Sequence, residues 1–147
     1  MLKDLKHVFK QKFSKPIKSS IFFTSSGSNN YSALKTYSDQ KGIYRFFCIE
    51  DEKEVTLYIG ESHKTTHGLK KRVAQNFTAK DTGGTFRDNL ALLKFNGDKK
   101  RAVSFIENQT FVQFIILGKG YSESQIKDLE QIAITLYKPL YNRNIWI

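Results

Sequence analysis

Glu130 stands where a carboxylate is costly. On a helical wheel drawn at about 100° per residue, Ile126, Leu129, Ile132, Ala133, Ile134, Leu136 and Tyr137 form one continuous apolar arc, and Glu130 falls inside it. Lys127, Asp128, Gln131, Thr135 and Lys138 share the other face. An ionised carboxylate on a core-facing stripe calls for an Arg, a Lys or a metal ion beside it, so either an internal salt bridge or a cation site is expected. Tyr44 and Tyr58 are both even-numbered and flank one expected hairpin turn. A register whose paired numbers sum to an even value puts both phenols on one sheet face as near neighbours. Such a pair can act on one water, or it can pack under a helix as ordinary strand aromatics. With an ordinary pKa of about 10, a phenol is a poor base at neutral pH unless a cation lowers it. Arg72 borders the apolar stripe of a short helix, with Asn76 one turn on, while Lys70 and Lys71 point away. Its guanidinium suits a bidentate grip on phosphate oxygens, or an ion pair with Glu130.

The elements that must position these groups follow from patterning. Gly42 to Glu50 and Val55 to Gly60 are rich in β-branched and aromatic residues and are separated by the polar turn Asp51 to Glu54, which predicts a hairpin. Gly68 to Phe77 places Leu69, Val73 and Phe77 four apart, a short helix. Thr85 and Asp88 stand three apart ahead of Leu90, Leu92 and Leu93, with Gly97 beyond as a C′ residue, a second helix. Phe111 to Leu117 is almost wholly apolar, as in the middle of a covered sheet. Ser122 and Gln125 form a capping box for a helix that runs to Tyr137 before Pro139 stops it. Leu2, Leu5, Phe9 and Phe13 alternate with lysines at helical spacing, and residues 19 to 41 read as a Ser-, Asn- and Thr-rich lead-in. The expected organisation is an N-terminal extension over 1–41 and one α/β (α+β) domain over 42–147, with helices covering a small sheet.

On these residues the chain resembles a known family. Gly42, Ile43 and Tyr44, then Tyr58, Ile59 and Gly60, then Leu69, Lys70, Lys71, Arg72 and Val73, resemble the signature of GIY-YIG nucleases. Glu130 precedes Lys138, Pro139, Leu140, Tyr141 and Asn142 at a spacing similar to that in the N-terminal nuclease domain of the bacterial excision-repair incision protein. The resemblance implies a three-stranded antiparallel sheet flanked by helices. It also implies hydrolysis of DNA phosphodiester bonds with one divalent cation, Mg²⁺ or Mn²⁺. In that reading Glu130 ligates the metal, and Arg72 stabilises the pentacovalent phosphate. Tyr44 accepts a proton from the attacking water, Tyr58 positions water or phosphate, and Asn142 orients groups around the metal; the tyrosines' roles can be exchanged. Glu61 stands where many family members carry Lys, the stretch from Gly60 to Leu69 is longer than usual, and Asn76 replaces a frequent Tyr or His. His63 or His67 in that longer loop is an auxiliary proton-transfer candidate, against two exposed loop histidines.

Composition agrees with a polyanion partner. Across 147 residues, 24 Lys and Arg outnumber 14 Asp and Glu, for a net charge of +10, while 39% hydrophobic content supports a core and argues against global disorder. Lys70, Lys71, Arg87, Lys94, Lys99, Lys100 and Arg101 are the candidates for tracking a DNA backbone. No run reaches the roughly 18 apolar residues of a membrane span, and the Lys-rich start lacks the pattern of a signal peptide, so a cytoplasmic protein is expected. A membrane-surface helix over 2–13 is the weaker reading of that start. The lone Cys48 sits in an apolar run, buried and inert rather than nucleophilic. A non-catalytic nucleic-acid-binding module on the same fold is the alternative to an enzyme. Specificity is left to a homodimer or a protein partner, since residues 1–41 and 78–110 leave little room for a separate domain.

Overall fold

The computed structural model describes residues 2–142; Met1 and residues 143–147, the end of the expected 42–147 domain, lie outside the described residues. The order is α1 (Leu2–Lys12), β1 (Ile17–Lys18), two short 3₁₀ turns, β2 (Lys41–Glu50), β3 (Lys53–Ser62), α2 (Gly68–Ala74), α3 (Thr85–Lys94), α4 (Lys99–Gln109), β4 (Phe111–Leu117) and α5 (Glu123–Tyr137). The sheet is antiparallel with order β1-β4-β2-β3. It has four strands rather than three, because the two-residue β1 adds to the outer side of β4.

The β2–β3 hairpin closes through Asp51 and Glu52, both at positive φ (50° and 66°), the conformation whose twist matches two antiparallel strands. Tyr44 pairs with Gly60 and Phe46 with Tyr58, so the paired numbers sum to an even value and the phenols share a face. The register shifts after Phe46, where Leu57 is the extra residue of a bulge.

Strand alternation sorts the core into two layers. Tyr44, Phe46 and Phe114 face α2, α3 and α4, packing with Leu69, Val73, Phe77, Phe86, Leu90 and Ile106. Phe46 is fully buried and its ring lies 4.7 Å from that of Phe86. Burying a side chain of this size contributes roughly 2–3 kcal/mol. On the other face, Ile43, Ile59, Ile115 and Leu117 pack with Ile126, Ala133 and Ile134 of α5 and with Phe9 and Phe13 of α1. The leading residues are therefore built into this core: α1 docks on α5 through Phe9 and Phe13, whose ring meets Tyr137 edge-on at 5.9 Å, while Lys10 and Lys12 face water. Among the described residues no helix is long and apolar enough to cross a membrane.

Two expectations about helices change. α3 is not capped by Thr85, because Gly84 occupies the N-cap with no side-chain cap. The Asn76 amide oxygen instead accepts the Arg87 backbone N–H at 3.0 Å, so the end of α2 caps the start of α3. α4 was not anticipated: Asp98 caps it by accepting from the Arg101 N–H, and only Ala102 and Ile106 of its residues are fully buried. The capping box at Ser122 and Gln125 forms as expected.

Candidate active site

Two glycines allow close approach at the motif, Gly42 of the β4 backbone and Gly60 of the Tyr44 ring. A Cβ on Gly42 would run into the Ile115 carbonyl of β4, and a Cβ on Gly60 would occupy the place of the Tyr44 phenol. Tyr44 thus lies across its strand partner, 5% exposed, with its ring 6.1 Å from that of Tyr58. Tyr58 in turn stacks on Phe86 of α3 at 5.5 Å. The two phenols are held by packing on three elements before any ligand arrives.

β3 is an edge strand, and the site forms at that edge. α5 packs on the sheet face opposite the phenols, yet Glu130 lines the same cavity of about 120 Å³ as Tyr44, Tyr58, Gly60 and Arg72. Glu61, Gln75, Gly83 and Thr85 complete its wall. Side chains from β2, β3, α2 and α5 thereby meet in one place. Among the described residues Glu130 forms no ion pair and no hydrogen bond, so the expectation of an internal salt bridge with Arg72 is not met. Arg72 is exposed, borders the cavity and leaves its guanidinium available.

The electrostatics follow from burial. Burial first, and the neighbouring Glu61 charge second, push the Glu130 carboxyl up to about 7, against the pull of Lys127 and Arg72. Burial and the Glu130 charge push Tyr58 up to about 12, opposed by a hydrogen bond to Thr85 and by Arg72. Tyr44 is raised well above 10, chiefly by burial and then by Tyr58. At neutral pH both phenols in the protein alone are hydrogen-bond donors, which opposes the expected proton acceptance by Tyr44.

Other expected residues fall elsewhere. Arg87 is fully buried and cannot track a DNA backbone. Its guanidinium donates to the carbonyls of Gln75 (3.2 Å), Thr78 (2.7 Å) and Lys80 (2.6 Å) and to the Asp88 carboxylate (2.7 Å), locking the loop between α2 and α3. Asn142 does not line the cavity: its Oδ1 accepts from the Ile59 N–H at 3.0 Å and its Nδ2 donates to the Ile59 carbonyl at 2.7 Å. It grips the edge strand at Ile59, between Tyr58 and Gly60. Asn76 is likewise structural, joining α2 to α3. His67 is exposed at the head of α2 with φ 63°. His63 is largely buried, with Nδ1 3.1 Å from the Glu61 carboxylate and Nε2 3.3 Å from that of Glu123. Glu61, Gln75, Gly83 and Thr85 line the cavity without standing out in the sequence as site residues; Glu61 stands out there only as a departure from the pattern that the chain resembles.

The basic candidates divide by location. Lys70 and Lys71 share α2 with Arg72. Lys94, Lys99, Lys100 and Arg101 lie on α3 and α4, away from the cavity wall. Lys99 stands 3.6 Å from Asp88, and Lys94 and Arg101 rest over the Phe105 and Phe95 rings at 5.2 and 5.1 Å. Cys48 is buried, its thiol pKa raised mainly by that burial, as expected of an inert cysteine.

The family model described as the GIY-YIG catalytic domain matches residues 20–145. No curated protein and no solved structure matches the chain.

Proposed function

Since this chain belongs to the GIY-YIG nuclease family, matched over residues 20–145, we propose that it is a divalent-metal-dependent endonuclease that hydrolyses phosphodiester bonds in DNA. The supporting observation is the meeting of Tyr44, Tyr58, Arg72 and Glu130 in one cavity at the open edge of the sheet.

The residues present fit a hard cation. Glu130 is a largely buried carboxylate without a partner among the described residues, and Glu61 borders the same space, so the donors on offer are two carboxylates; no group of three or more His, Cys, Asp or Glu stands together among the described residues. Mg²⁺ and Mn²⁺ suit one or two carboxylates completed by water; zinc sites ask for more side-chain nitrogen or sulfur. When bound beside Glu130, such an ion supplies positive charge that offsets the carboxylate's burial, draws the phenols toward ionisation and stabilises charge on the leaving oxygen.

The chain's own groups do the rest. Arg72 forks onto non-bridging phosphate oxygens and stabilises the charge that develops there. Tyr58 holds the phosphate or the attacking water by donation. In this reading Tyr44, set over Gly60, takes the proton of that water in its ionised form, and the exchange of roles with Tyr58 is equally compatible with their shared face. Lys70 and Lys71 guide the DNA backbone toward Arg72. A protein partner or a second copy supplying sequence specificity belongs to the same proposal.

The test is nicking of supercoiled plasmid in Mg²⁺ against EDTA, with wild type, Glu130→Gln and Arg72→Ala compared. Loss of one group that stabilises the transition state lowers rate by about 100-fold or more, and both variants are expected to keep binding DNA. Full nicking by a folded Glu130→Gln protein would sink the proposal. Binding without cleavage by the wild type would favour the non-catalytic module instead.

A further inference from the structure

We propose that Glu61 is a second carboxylate ligand of the cation that Glu130 holds, and that His63 is the residue that positions it. The inference rests on the reading above for the presence of a cation, and not for cleavage.

Glu61 immediately follows Gly60 on β3 and borders the cavity, its side chain 11% exposed. Strand alternation directs it to the same side as Ile59, which is the side of α5 and therefore of Glu130. Two mostly buried carboxylates consequently share one small space. Neither forms an ion pair with a Lys or Arg among the described residues. Like charges brought together out of water repel, and a divalent cation between them removes the repulsion while meeting the demand of each. A volume of about 120 Å³ holds such an ion with several of its waters, each of which takes about 30 Å³.

Glu61 is also oriented. The Nδ1 of His63 lies 3.1 Å from both Glu61 oxygens, and its Nε2 lies 3.3 Å from Glu123 in the first turn of α5. Glu123 is held in turn by Lys127 at 3.1 Å. The imidazole is thus pinned between β3 and α5, the two elements that carry the carboxylates. Contact with one ring N–H leaves a carboxylate with lone pairs to spare. A ligating carboxylate held by such an outer contact keeps its geometry, and loss of an outer partner commonly weakens metal binding by about 10–100-fold.

The test is calorimetric or electron-paramagnetic titration of Mn²⁺ into the DNA-free protein, with thermal unfolding run on every variant. Wild type is expected to bind one ion saturably, and Glu61→Gln and Glu130→Gln each to weaken it at least about tenfold. His63→Ala should weaken binding and His63→Gln, whose amide can still donate to Glu61, should restore most of it; His67→Ala, at an exposed position, should match wild type. A folded Glu61→Gln protein with wild-type affinity would overturn the inference, as would a wild type that binds no Mn²⁺ at millimolar concentration. Equal weakening by His63→Ala and His63→Gln would overturn the positioning role. A wild type that binds Mn²⁺ through both carboxylates but nicks no DNA would refute the nuclease reading and leave this inference standing.

Discussion

Glu130 is a carboxylate kept at the edge of the core with no ion pair among the described residues, and its burial raises its pKa. Its pKa is raised from 4.5 to about 7, so between those values the native protein holds a proton that the unfolded chain has released. Stability tied to this group is complete below pH 4.5 and is lost as pH rises through 7. The loss is on the order of 2 kcal/mol at alkaline pH. In EDTA, Glu130→Gln should therefore melt higher than wild type at pH 8 and with it at pH 4, and added Mg²⁺ should narrow the gap by stabilising the wild type. A lower melting temperature for the variant at pH 8 would reveal a structural partner. Tyr44, Tyr58, Arg72 and Glu130 were legible in the sequence because residue type, helix face and strand parity are local properties. Arg87 was not: a cation facing phosphate and a cation facing buried carbonyls look the same in a sequence. Its true role predicts that Arg87→Ala lowers stability by about 3 kcal/mol, since several carbonyls and a carboxylate lose their donor. The salt dependence of DNA binding should stay unchanged, as measured by binding titrations in increasing salt.

At the level of elements, the hairpin, β4 and α5 declared themselves through strand composition, an unbroken apolar run and a capping box. α4 did not, because only two of its residues are fully buried and its stripe is too thin to read. β1 is two residues long, and its pairing with residues 111 and 112 depends on chain far away. The segment after α5 was legible as a motif but not as a structural part. Leu140 and Tyr141 donate to the carbonyls of Thr56 and Leu57, Asn142 takes both backbone groups of Ile59, and Asn89 of α3 donates to the Tyr141 carbonyl. Through these bonds the segment lies along the edge of β3 and covers groups that would otherwise invite another chain. Asn142→Ala should cost about 1–3 kcal/mol and lower the cleavage rate by loosening Tyr58, while Mn²⁺ affinity stays at the wild-type value. Loss of metal affinity in a variant of unchanged stability would restore the metal-orienting role expected from the family pattern.

Over the whole molecule the net charge of +10 includes the buried Arg87, because composition does not register location. The exposed surplus predicts binding that weakens steeply with salt, the slope falling by about one for each phosphate contact removed. Replacing Lys70 and Lys71 by Ala should lower that slope by about two and slow cleavage, since α2 also carries Arg72. Comparable changes at Lys99, Lys100 and Arg101 should lower binding without touching cleavage of bound DNA. The clamp on β3 also sets an order in time. A chain emerging from the ribosome presents both tyrosines and Arg72 early, Glu130 much later, and residues 140–142 after that. Until residues 140–142 emerge, the edge of β3 lacks the hydrogen bonds they make to Thr56, Leu57 and Ile59. A chain that has not yet supplied residues 140–142 therefore exposes a strand edge of the kind that chaperones and proteases recognise.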